Sequence, residues 1–329
     1  MPSPANTTEP RADLMTTLEA FDTEADRQGF VGLEIAPIFE APRVSGTYKT
    51  IAADQLLQSH DTDRTPGGGY GRSQFSPGEK SWSCKERGWE VPVDDNLKNQ
   101  FRDYFDAETV AARIARDVLL RDCEQKVTAP LLALSNGTDV DTEWNDYSSD
   151  VIEDVRRAKF AVRGQCGLMP NTMVMDVLLY EYLLGHDQIV ERASANGTSA
   201  SAGRNSKIVN RAMLQELFNI ERIVVADSQK NSVIPHQHAS NAQLSLAPLW
   251  TPAKVLLAYV DRRSELTYPT LARTFHWDED GSTPMGYQES YYSDEVRCTI
   301  VRCRNQLDIN LVMGECGYLL GGCYAEPEA

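Results

Sequence analysis

The chain has 329 residues, 41% hydrophobic and 24% charged, the balance of an ordinary globular protein with room for about two cores. Asp plus Glu number 48 against 32 Lys plus Arg, a formal net charge of −16, which excludes the basic footprint of a general nucleic-acid binder or of a protein held on an anionic membrane. No apolar run is long enough to span a bilayer.

The first ten residues are polar, with no basic stretch ahead of an apolar one, which predicts no secretory leader and a chain that is cytosolic at synthesis. Seven cysteines, an odd number with no CxxC spacing, predict reduced thiols and not a disulfide framework. Residues 1–40 carry Glu9, Asp13, Glu19, Asp22, Glu24, Asp26, Glu34 and Glu40 against Arg11 and Arg27. They read as an acidic arm, with an amphipathic helix over 14–28 and a stretch over 31–39 apolar enough to lie against another surface.

From residue 44 the character changes. Strands are predicted at 44–51 and 81–93, separated by the glycine-dense segment from Thr65 to Ser73, which has little to bury. Long loops of this kind are uncommon in a compact domain unless they carry a function, so this one is read as reaching outward to another molecule.

A long helix follows at 107–129. Asp106 is its N-cap, Asp106 and Glu108 complement the helix dipole, and Pro130 ends it. Val110, Ala111, Ile114, Ala115, Val118 and Leu119 form its predicted buried stripe, with Arg113, Arg116 and Asp117 opposite. At 1.5 Å per residue it would be ~35 Å long.

Helix and strand then alternate over 150–260. Asp150 and Glu153 make a capping-box-like start to a helix that Gly164 closes, with Ile152, Val155, Ala158 and Val162 facing inward. A short strand is predicted at 172–175, a helix capped by Asp176 and ending near Gly185, a helix capped by Asn210 running to Phe218, and buried strands at 223–226 and 254–260. The last seventy residues return to strands: 270–277, a pair or one long strand at 290–304, then 307–313 and 318–324.

The motifs that could carry chemistry are weak. The segment from Pro66 to Ser73 imitates a phosphate-binding loop, but Pro66 stands where the first glycine belongs, Arg72 replaces the lysine, and no strand–helix frame surrounds it. His236 and His238 have strand-like spacing for one metal face but no Asp, Glu or Cys cluster beside them. Cys298 with Cys303, and Cys316 with Cys323, are separated by odd numbers and so point to opposite faces of a regular strand. They read as buried structural thiols. His60, His186 and His276 are isolated, residues 278–281 read as an acidic turn, and no nucleophile elbow occurs. No catalytic residue, metal or cofactor is assigned.

Several stretches carry a resemblance. Residues 151–159, 170–175 followed by 186–192, 214–226, and 308–318 ending in Gly317 and Tyr318 resemble, in this order, the helices and strands of tailed-bacteriophage major capsid proteins, whose fold is named after phage Hong Kong ninety-seven. The resemblance covers roughly 30–325. It implies an α+β fold with an N-terminal arm (1–43), an extended loop (44–93), a peripheral domain with a spine helix (94–149) completed by the strands of 262–306, and an axial domain (150–261) closed by 307–329.

It further implies a structural protein, not an enzyme. Hexamers and pentamers of this chain would form an icosahedral shell around double-stranded DNA, assembled in the host cytoplasm. Scaffolding, portal and decoration proteins are the expected partners, with no membrane and no sequence-specific DNA contact. On this reading Pro66, Gly67, Gly68, Gly69, Tyr70, Arg72, Phe75, Lys80 and Trp82 are candidate contacts with a neighbouring subunit. Some relatives crosslink through a lysine of the extended loop, where Lys80 and Lys85 stand, with Asn305 in the later strands. An encapsulin-type shell shares the fold and is the alternative, and a cytosolic α/β hydrolase is the reading from another class.

Overall fold

The computed structural model describes residues 9–10, 29–50, 55, 57–60, 62–64, 66, 68, 70–72, 74, 76–101, 106–195, 209–232, 245–263, 266, 268–278 and 281–326. The helix expected at 14–28 and the pair His236 and His238 lie outside them, as do Gly67, Gly69 and Phe75 among the candidate contacts.

The N-terminal part supplies β1 (Glu9–Pro10), α1 (Gly32–Ile35), β2 (Ile38–Glu40), β3 (Ser45–Thr50), β4 (Gly78–Ser83), β5 (Lys85–Asp94), α2 (Asp95–Phe101) and α3 (Ala107–Leu132). The middle supplies β6 (Gly137–Asp139), α4 (Val151–Cys166), β7 (Thr172–Asp176), α5 (Val177–Leu184), α6 (Asp187–Ala195), α7 (Arg211–Phe218), β8 (Arg222–Ala226), β9 (Gln229–Asn231), β10 (Leu246–Pro248) and β11 (Val255–Ala258). The last part holds β12 (Ala272–His276), β13 (Tyr287–Ser293), β14 (Cys298–Leu311), a 3-10 turn (Gly314–Cys316) and β15 (Gly317–Gly321).

Two large sheets, with the two-stranded pairs β3-β4 and β9-β10 beside them, organise these elements into an α+β fold. One runs β1-β13-β14-β12-β2, with β5 along the other side of β14, and the long helix α3 packs across β5 and β14. The other runs β6-β15-β11-β7-β8 and is fully buried along β7 and β11, with α4 packed against β11 and β15. Val174, Val224, Leu256, Leu271, Ala272, Leu319 and the helix residues Val127, Leu131 and Val162 share one core cluster, which joins the two sheets. The apolar stretch expected over 31–39 does lie against the body: Ile35 and Ala36 are fully buried, and β2 pairs in parallel with β12.

Local signals placed the helix starts well. The Asp106 carboxylate accepts from the Glu108 N–H, Asp150 from Glu153, Asp176 from Leu178 and Asn210 from Met213, each satisfying a donor that helix geometry leaves orphaned. The helix ends differ from expectation. Pro130 sits inside the last turn of α3, which continues to Leu132 because Leu131 is locked into the core. Its missing N–H costs one ladder bond, to the carbonyl four residues back, and leaves the earlier turns intact. Gly164 lies within α4, and the helix closes instead on Gly167, whose φ of +77° is the left-handed cap conformation glycine adopts without penalty.

The strands show larger departures. The single strand expected over 81–93 is broken at Cys84, because β4 pairs with β3 while β5 pairs with β14. Residues 290–304 divide into the pair β13 and β14, and 307–311 continue β14 without a break. Along β14, Val301, Cys303, Asn305 and Leu307 point inward in strict alternation while Cys298 falls out of phase, as the odd spacing required. All seven cysteines are buried and unbridged.

Candidate intersubunit contact site

The hairpin of β3 and β4 carries the long loop, and its stem is bolted to the larger sheet. Trp82 lies flat on Phe275 of β12, with ring centroids 5.3 Å apart and planes 2° from parallel. Tyr48 packs on Phe275 at 5.3 Å, and Phe39 meets the same ring edge-on at 5.5 Å. Such aromatic contacts add to the burial of the rings themselves. Gly46 lies opposite Trp82 in the hairpin register and makes this possible, since a Cβ there would come 2.4 Å from the indole. Polar contacts complete the anchor: Lys80 Nζ donates to the carbonyls of Leu311 and Val312 at 3.0 and 2.7 Å, the Ser83 N–H to Asp308 at 2.8 Å, and Trp82 Nε1 to the Arg43 carbonyl at 3.2 Å. Burial together with the nearby Asp308 pushes the Tyr48 phenol up to about 12 and the Cys84 thiol up to about 11, so both stay neutral at physiological pH.

Tyr70 is 73% exposed, and Pro66 and Arg72 are also exposed. The loop has some order of its own: the Arg64 guanidinium donates to the Gly68 carbonyl at 2.7 Å and lies 4.8 Å from the centre of the Tyr70 ring. Of the candidate contacts, then, Pro66, Tyr70 and Arg72 are presented outward and Gly68 is half-buried. Trp82 is buried in its own subunit, and the Lys80 ammonium is turned back onto β14.

A second surface escaped the sequence reading. Helix α3 buries Ala111, Ala115 and Leu119 of the predicted stripe, with Ala107 and Ala112 beside them, whereas Val110 and Ile114 are exposed at 41% and 47%. Arg116, expected on the outer face, is 1% exposed. The buried face is centred on alanines, whose small side chains let the helix backbone approach the strands closely, and Val110 and Ile114 fall beyond its edge. Trp89, at 51% exposure on β5, is apolar surface of the same kind.

Among the described residues, the groups suited to catalysis are scattered or buried. Ser149 Oγ and His186 Nε2 are 3.0 Å apart, but His186 is completely buried and Ser149 nearly so. Burial keeps the His186 imidazole below its ordinary pKa. A cavity of about 380 Å³ between α1, α3 and the Pro284–Met285 turn is mostly apolar, and its Glu124 carboxylate is occupied by three hydrogen bonds. Among the described residues no three His, Cys, Asp or Glu side chains converge to hold a metal ion, and no helix is long and apolar enough to cross a membrane.

This α+β fold is shared with phage capsid proteins, as comparison with known structures shows. A phage-related protein from Bordetella bronchiseptica RB50 superimposes with a TM-score of 0.65 at 18% identity, over 96% of this chain and 98% of its own. The capsid protein of cyanophage P-SCSP1u matches with a TM-score of 0.55 at 11% identity, over 87% and 86% of the two chains. In sequence the chain is similar to the major capsid protein of Burkholderia phage BcepMu, 21% identical over 221 residues, which are 65% of this chain and 68% of that protein. A virus-like particle from Pyrococcus furiosus shares the fold too, with a TM-score of 0.54 at 12% identity over 91% and 95% of the chains. No family model matches the sequence.

Proposed function

We propose that this chain is the major capsid protein of a tailed double-stranded DNA bacteriophage, a building block and not an enzyme, which assembles as hexamers and pentamers into an icosahedral head. The observation that carries the reading is agreement of fold over nearly the whole chain with a phage-related protein, together with sequence similarity to a phage major capsid protein. In this reading the larger sheet with α3 is the peripheral domain and the smaller sheet with α4 to α7 the axial domain. The loop carrying Pro66, Gly68, Tyr70 and Arg72 lies over the next subunit. A fixed stem with an adaptable tip suits a shell whose positions are only quasi-equivalent, since the tip can adjust while the stem transmits the contact to the sheet.

The net charge of −16 fits a container for DNA, because a basic wall would hold the packaged polymer through counterion release. Scaffolding and portal proteins are the expected partners, and assembly takes place in the host cytoplasm. The similarity to the Pyrococcus furiosus virus-like particle keeps a second reading, a shell that stores protein cargo.

The test is negative-stain electron microscopy of the chain expressed alone and with its neighbouring genes. Closed shells, tubes or partial shells are expected, and particles that package DNA support the phage head. Particles filled with protein would favour the cargo shell. A monodisperse monomer or dimer under every condition overturns both.

A further inference from the structure

The function proposed above makes no use of the cavity beside Glu124. It measures about 380 Å³, and its walls are mainly Phe30, Leu33, Ile38, Leu120, Val127 and Met285. It opens beside Glu34 and Arg262, whose side chains are 49% and 56% exposed and whose charges meet at 3.7 Å. Glu34 is also paired with Arg222, so the charge at the opening is already matched.

The charge inside is not. Glu124 lines the same cavity from α3 and is only 3% exposed. Its three hydrogen bonds come from neutral donors, the N–H groups of Val31 and Gly32 and the Trp250 indole, and among the described residues no lysine or arginine forms an ion pair with it. A carboxylate offers about four acceptor positions, and among the described residues Oε2 accepts only from Gly32, at 2.7 Å. Buried charges are ordinarily matched by an opposite charge, and the cavity gives a cation from solvent a route to this one. We propose that it binds a small organic amine, with the apolar body against the walls and the ammonium donating to Glu124 Oε2.

Size and chemistry select that class. An apolar cavity of about 150 Å³ already holds a benzene ring, so this larger one takes a ring with a short side chain, or an alkyl chain of similar bulk. A polyamine or a hydrated metal ion would set further charge or its water shell against hydrocarbon, at a cost in desolvation. A carboxylate of the same shape would bring like charge to Glu124, and an alcohol would make the hydrogen bond without the charge that strengthens it. Burial raises the Glu124 pKa, and an ammonium beside it would act the other way, favouring the ionised form. Gly32 belongs to the site as well, since a Cβ there would come 2.6 Å from Oε2. Phe30, Leu33 and Ile38 belong to the N-terminal segment, and Leu120 and Val127 to α3. A bound amine would therefore bridge that segment to the long helix.

Isothermal titration calorimetry of the full chain near neutral pH, with phenethylamine as the probe, tests the site. Phenethyl alcohol and hydrocinnamate serve as the neutral and anionic counterparts. The amine should saturate one site per subunit with a Kd of about 1 mM, the alcohol should bind about tenfold more weakly, and hydrocinnamate should give no saturable heat. Leu33→Trp fills the cavity from its partly exposed rim and should abolish binding of the amine. Glu124→Gln keeps an acceptor without the charge and should bring the amine down to the level of the alcohol. The ligand series on the parent chain and Leu33→Trp decide the matter even if Glu124→Gln does not fold. The proposal fails if the amine shows no saturable binding at tenfold the expected Kd, if the alcohol binds as tightly, or if Leu33→Trp binds the amine as well as the parent does.

Discussion

The Glu124 carboxylate, deep in the middle of α3, accepts a hydrogen bond from the Trp250 indole at 2.6 Å. Its two oxygens also accept from the backbone N–H groups of Gly32 at 2.7 Å and Val31 at 3.3 Å. One buried side chain therefore ties the N-terminal segment, the long helix and the loop leading into β11. Burial raises its pKa despite the three donors, so desolvation outweighs the hydrogen bonds for the charged form.

Glu124→Ala would strand all three donors in the core. It should cost about 2–4 kcal/mol by chemical denaturation, and faster hydrogen exchange at Val31 and Gly32 should accompany it. A loss below about 1 kcal/mol would show that water replaces the carboxylate without penalty.

Trp82 and Tyr70 lie on the same excursion and should behave oppositely. Trp82→Ala removes the ring stacked on Phe275 and should lower subunit stability by about 3 kcal/mol. Tyr70→Ala touches an exposed ring and should leave the melting midpoint unchanged while reducing the yield of assembled particles. Equal effects on assembly and no difference in stability would contradict the division into stem and tip.

The exposed stripe of α3 gives a parallel test. The double variant Val110→Asp, Ile114→Asp should leave the subunit stability within about 0.5 kcal/mol, since neither side chain enters the core. In light scattering it should slow or abolish assembly. Unchanged assembly would mean that this flank faces solvent in the shell.

Asp176 caps α5 from a buried position, and burial together with the nearby Asp227 lifts its pKa to about 6. An acid whose folded pKa is raised binds its proton more tightly in the native state. The stability this confers is complete below the unfolded value near 4 and is lost as pH rises through 6. Asp176→Asn keeps an acceptor for the Leu178 N–H without the charge. It should be about 1 kcal/mol more stable than the parent at pH 7.5, and urea titrations should show the advantage shrinking toward pH 4.

His186 titrates in the opposite sense. It faces Ser149, the ring of Tyr147 and the carboxylates of Asp146, Asp150 and Asp187, yet burial dominates and lowers its pKa. Its contribution is complete above the unfolded value near 6.5 and is lost as pH falls below it. His186→Gln should remove that part of the acid sensitivity below pH 6.5, read as a flatter plot of thermal midpoint against pH.

What the sequence determined by itself was local or carried by resemblance. The caps Asp106, Asp150, Asp176 and Asn210 were legible because a side chain accepting from an N–H two or three residues on needs nothing else from the protein. The order of helices and strands, and with it the capsid fold, followed from short matching stretches. Tertiary structure alone decided the rest. Val110 and Ile114 are outside and Arg116 inside because packing on the sheet centred the buried face of this helix on its alanines. The strand broke at Cys84 because its two halves pair with different partners, β3 and β14, and hydrogen-bond partners more than 200 residues apart leave no local mark. Trp82 was taken into its own subunit because Phe275 offers a flat ring and Gly46 leaves room beside it, a shape complementarity that exists only once β3, β4 and β12 have come together.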